Sequence, residues 1–154
     1  KTRISLCNKS NPNYNKLKDY WKLLLKNENE LSEKKKYSNH FRKYISQKEI
    51  VTYLINTNHT LKATYECYQG IINSLKEKDF NKFKQIIENQ NNNISDKMKQ
   101  AIKLYNENIK YIENSFRYEI NNGIIEGKQI ILLNQLKELL LDIENTIILL
   151  LEFS

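Results

Sequence analysis

The chain has 154 residues and a formal net charge of +7, with 40% hydrophobic and 28% charged residues, three glycines and one proline. That length fits one domain with a modest core, and so little turn chemistry, beside abundant Leu, Ile, Lys, Glu and Tyr, predicts an all-α fold. Cys7 and Cys67 form no CxxC, and His40 and His59 have no partner at zinc spacing, which argues against a disulfide or structural-metal scaffold and for reduced thiols.

The first predicted helix is NYNKLKDYWKLLLK, where Leu17, Tyr20, Trp21 and Leu24 share a face; Trp21 is expected as a core anchor rather than a stacking platform for bases. Asn27 to Lys36 has Leu31 as its only apolar residue and reads as a loop or an exposed helical turn. Its run Lys34, Lys35, Lys36 reads as solvated surface. Ser46 stands three residues before Glu49, a capping box in front of Ile50, Val51, Leu54 and Ile55.

From about Asn58 to Glu77, Leu61, Tyr65, Tyr68, Ile71, Ile72 and Leu75 repeat at helical spacing, with His59 near the start in a capping or solvent position. Asp79 caps DFNKFKQIIENQ, in which Phe80, Phe83, Ile86 and Ile87 share a face. A polar break at residues 89–93 precedes Ser95, the cap of what is expected to be the longest helix. Its stripe is Met98, Ala101, Ile102, Tyr105, Ile109, Ile112 and Phe116.

No charged segment followed by an apolar one opens the chain, so no secretion signal is expected. The apolar tail from Ile130 to Phe153 is interrupted by Lys137, Glu138, Asp142 and Glu144, which argues against a membrane span. With Lys1 in first place and Met98 the sole methionine, the chain reads as part of a longer polypeptide. The positive charge favours contact with a polyanion such as DNA. A genome rich in A and T, which enriches Lys, Asn and Ile together, would produce much of the same charge.

Two of the three glycines bracket one glutamate in NNGIIEG, residues 121–127. Asn121, Asn122 and Gly123 tolerate positive φ, so a long helix can stop there. Glu126 then falls in a first helical turn, where the macrodipole favours it on structural grounds alone. The order of segments adds a second meaning. DYWKLLLK, SQKEIVTYLI, LKATYECYQGII, KDFNKFKQII and YIENSFRYEINNGIIEG, from about Asn8 to Gly127, resemble the C-terminal half of bacterial insertion-sequence transposases of the Asp-Asp-Glu (DDE) type. The branch resembled carries its catalytic glutamate in an NGxIEG motif after a long helical insertion.

The resemblance implies the helical insertion and C-terminal part of an RNase H-like catalytic domain. In that domain three carboxylates hold two Mg²⁺ ions for cleavage and joining of DNA strands. It gives the third carboxylate, catalytic and metal-binding, to Glu126. The family's two aspartates lie before the region matching residue 1, and Asp19, Asp79, Asp96 and Asp142 do not stand in their contexts. The chain alone is therefore expected to be inactive. Insertion-sequence DNA ends and other transposase subunits are the implied partners, and the bacterial cytoplasm, at the nucleoid, is the implied location. The competing reading is an all-α DNA- or protein-interaction module that uses the apolar tail as its partner helix.

After Gly127 the family continues with a basic helix and a segment resembling AFGYR, where this chain reads KQIILLNQLKELLLDIE. Gln135 to Glu144 written CAA TTA AAA GAA TTG CTT TTG GAT ATA GAA becomes, without its first two bases, ATT AAA AGA ATT GCT TTT GGA TAT AGA. That translates as IKRIAFGYR. The predicted organisation is thus residues 1–127 as transposase and 128–154 as a frameshifted Leu/Ile-rich tail. The shift replaces basic residues with Glu138, Asp142, Glu144 and Glu152, which weakens any DNA contact made there.

Overall fold

The computed structural model describes residues 13–89 and 92–117. The stretch NNGIIEG with Glu126, Asp142 and the whole of residues 128–154 lie outside the described residues. Helices dominate, as composition predicts: α1 (Tyr14–Leu24), α2 (Gln47–Ile55), α3 (His59–Lys76), α4 (Phe80–Glu88), α5 (Asp96–Glu107) and α6 (Ile109–Arg117). A 3₁₀ turn, Glu28–Glu30, follows α1. A small antiparallel hairpin, β1 (Lys36–Ser38) and β2 (Lys43–Ile45), follows it.

The helix starts are where the side chains place them. Ser46 accepts from the Glu49 amide at 3.2 Å while Glu49 accepts from the Ser46 amide at 2.8 Å, a complete capping box for α2. Asn58, Asp79 and Ser95 each accept from the amide three residues on, opening α3, α4 and α5.

α3 forms the centre of the fold and buries more than one stripe, including Leu61, Thr64, Tyr65, Tyr68, Gln69, Ile71 and Ser74. Gly70 lies where α4 comes closest. A Cβ there would stand 3.1 Å from Ile86 Cδ1, so the bare backbone sets the α3–α4 spacing. One turn before Ile86 on α4, Phe83 is 1% exposed, with Phe80, Tyr105 and Phe116 packed around its ring. Thr64 Oγ1 accepts the buried Ser95 amide at 2.9 Å and ties the start of α5 to α3.

The segment after α1 is held to α3 by polar bonds. Tyr68 donates to the Leu25 carbonyl at 2.9 Å, Gln69 Nε2 to the Lys26 carbonyl at 2.7 Å, and the Glu28 amide to Gln69 Oε1 at 3.0 Å. Asn27 Nδ2 donates to Asn73 Oδ1 at 2.6 Å. Leu31, the only apolar residue of this polar stretch, is buried.

Two expectations are corrected, and one element is new. Trp21 is half-buried and takes no part in the core cluster among the described residues; Leu17 and Leu24 anchor α1, and Lys22 lies over the indole. The stripe from Met98 to Phe116 does not belong to one helix. At Asn108 the side-chain amide donates to the Leu104 carbonyl at 2.9 Å, and φ −109°, ψ 15° leave the helical region, so the run splits into α5 and α6. The longest described helix is α3. Finally, the hairpin forms without glycine: Arg42 adopts φ 52°, and Ser38 Oγ accepts the Phe41 amide across the loop.

Candidate nucleic-acid interface

Among the described residues, no three His, Cys, Asp or Glu side chains gather as a metal site. Asp79 caps α4, Asp96 lies in the first turn of α5 with Lys99 beside it, and Asp19 pairs with His40. His59 opens α3. Cys67 is half-buried, and burial pushes its thiol up to about 11, which removes it from nucleophilic chemistry near neutral pH.

The chemistry that the described residues do bring together is cationic and aromatic, around the hairpin. β1 and β2 pair Lys36 with Ile45, Tyr37 with Tyr44 and Ser38 with Lys43. Side chains alternate across the pleat, so Ser38 and Ile45 face the core and the two tyrosines face away from it. Tyr37 and Tyr44 are 58% and 70% exposed, and their rings meet edge to face at 5.5 Å.

Residues 33–49 hold six cations (Lys34, Lys35, Lys36, Arg42, Lys43, Lys48) against two carboxylates, Glu33 and Glu49. Both carboxylates are engaged, Glu33 with Lys48 at 3.3 Å and Glu49 with Lys35 at 3.6 Å. Lys34, Lys36, Arg42 and Lys43 form no ion pair among the described residues. Four of the seven net positive charges of the chain therefore sit on this one short segment.

The hairpin is fixed to the helices beneath it. Tyr20 and Ser38 share a hydrogen bond at 2.7 Å, His40 meets Asp19, and Phe41 packs edge to face on Tyr53 at 5.0 Å. Lys16 lies over both rings, 5.1 Å from Phe41 and 4.6 Å from Tyr53, and bonds the Tyr53 hydroxyl at 3.0 Å. An open cleft of about 640 Å³ lies there, with Lys16, His40, Phe41, Lys43 and Tyr53 among its walls.

The lysine run alone did not single this element out. The signal in the sequence is the repeat of Lys-Tyr-Ser and Lys-Tyr-Ile on either side of NHFR, a strand-length alternation that the scarcity of glycine obscures.

Within the described residues no helix is long and apolar enough to cross a membrane. No curated protein and no solved structure matches the chain. A family model described as transposase, of the DDE type named for ISL3, matches residues 1–133, which include NNGIIEG. The chain belongs to this transposase family.

Proposed function

We propose that the chain is the glutamate-bearing C-terminal part of a DDE transposase catalytic domain, in which residues 1–127 comprise the helical insertion and the glutamate motif, and Glu126 is the third carboxylate of a two-Mg²⁺ site. The observation that carries this reading is the family match over residues 1–133, which spans the helical region and the motif that follows it in order. A lone carboxylate holds Mg²⁺ poorly. In the whole enzyme the metals would activate the attacking oxygen and stabilise the leaving one. This chain by itself performs no strand transfer and retains DNA or subunit binding.

The tail from Lys128 to Ser154 is, on this reading, translated out of frame. The IKRIAFGYR frame supports it. The nucleotide sequence of the locus tests the tail directly. An altered A-run after the Gly127 codon, with aspartate motifs upstream, is expected; codons that cannot be shifted into IKRIAFGYR would make the tail genuine. In a frame-repaired, full-length version, Glu126→Gln is expected to abolish strand cleavage and leave DNA binding intact. Cleavage that persists in that variant removes Glu126 from the active site.

A further inference from the structure

We infer that the β1–β2 hairpin is a platform for unpaired DNA, on which Tyr37 and Tyr44 stack bases while Lys36, Arg42 and Lys43 hold the phosphates on either side. The inference rests on the DNA-transposition reading and names the part of the substrate that this face takes. Three observations carry it together.

The first is exposure. Two tyrosines paired across a hairpin, with no core behind them to justify their area, offer ring faces to solvent at 58% and 70% exposure. The second is charge. A cation directly precedes each tyrosine, Lys36 before Tyr37 and Lys43 before Tyr44, and Arg42 stands at the turn. None of these three is neutralised among the described residues, so a polyanion finds them available.

The third is shape and rigidity. A two-stranded ribbon is narrow, its strands about 5 Å apart, so lysines on the opposite pleat reach around its edges to a backbone lying along the tyrosine face. Tyr20, Tyr53 and Asp19 pin the hairpin from beneath, which reduces the ordering cost of binding. The ring faces are open to any base, whereas in a duplex the base faces are already stacked on one another. The surface therefore favours single-stranded over paired DNA, and does so with little preference for sequence.

The test uses the full chain and two fluorescent probes, an oligothymidylate and a duplex of the same length, read by anisotropy across a salt series. Replacing Tyr37 and Tyr44 together by Ala is expected to weaken oligothymidylate binding about 5- to 150-fold, the range for one stacked base, and to leave duplex binding within about twofold. Tyr→Phe at both positions is expected to restore it, because the ring and not the hydroxyl carries the contact. Lys36→Gln, Arg42→Gln and Lys43→Gln together are expected to weaken both probes and flatten the salt dependence.

Undiminished oligothymidylate binding by the Ala variant overturns the proposal, as does a parent chain that binds the duplex and not the single strand. Either result leaves the transposase reading standing. A parent chain that binds neither probe at low salt overturns the platform and the DNA-binding part of that reading together. All five side chains are exposed, and unchanged helical circular dichroism confirms that the variants fold.

Discussion

Gln69 holds Lys26 across 43 residues of chain: its side-chain amide donates to the Lys26 carbonyl at 2.7 Å, and its oxygen accepts the Glu28 amide at 3.0 Å. Gln69 is buried, so Gln69→Leu would keep most of the volume and strand main-chain polar groups. The expected loss is about 1–3 kcal/mol, read as a lower midpoint in urea at unchanged m. A wild-type midpoint would mean that water replaces both bonds.

The aromatic anchor of the core is Phe83, not Trp21. Phe83→Ala removes a ring enclosed by three others, and the expected cost is about 3–5 kcal/mol. Trp21→Ala, at a half-buried position outside the core cluster, is expected to cost clearly less. Equal thermal shifts for the two variants would contradict this ranking.

The capping box gives α2 an acid-sensitive start. Glu49 lies below its ordinary 4.5, chiefly through the Ser46 amide and hydroxyl and then through Lys35. A depressed carboxylate contributes stability that is present above the unfolded value and lost as pH falls through the folded one, so the loss falls below about pH 4.5. Ser46→Ala is expected to lower stability at neutral pH by about 1 kcal/mol and to flatten that part of the acid limb. Urea midpoints between pH 3 and 7 test both. An acid limb identical in the variant would detach Glu49 from it.

At high pH the buried phenols act in the other direction. Burial first, then the Glu28 charge, raises Tyr65 from 10.0 to about 12; burial and then Glu30 raise Tyr68 equally. Burial pushes Tyr105 higher still. An acid with a raised folded value stabilises fully below its unfolded value and loses that contribution as pH rises through the folded one. Helicity should therefore hold to about pH 10 and fall toward 12, with a late step in tyrosinate absorbance. Ionisation of every tyrosine with helicity intact would contradict the burial of these rings.

Much of this fold is legible in the sequence because its signals are local. Ser46, Asn58, Asp79 and Ser95 each sit at a helix start that their side chains create, and the stripes Leu61 to Ile71 and Phe80 to Ile87 face the core. What escaped depends on distant partners or on competition within one residue. Leu31 is buried in the core cluster although its sequence neighbours are polar, Trp21 stays outside that cluster, and Asn108 diverts its amide to Leu104.

The site divides in the same way. Glu126 was found through the order of motifs and lies outside the described residues. The tyrosine platform needs the register of two short strands, which no local propensity fixes once glycine is missing from the turn.

The bonds that join the segment after α1 to α3 also set an order of assembly. Leu25 and Lys26 are made long before Tyr68 and Gln69, their partners 43 residues later. At roughly 5–20 residues per second, a ribosome takes about 2–9 s to supply those partners. During that interval α1 can already meet the hairpin and α2, through Tyr20 with Ser38 and Lys16 with Tyr53. The short segment after α1 is thus what must wait for α3, while α3 and α4, adjacent in sequence, can pair as soon as both have emerged.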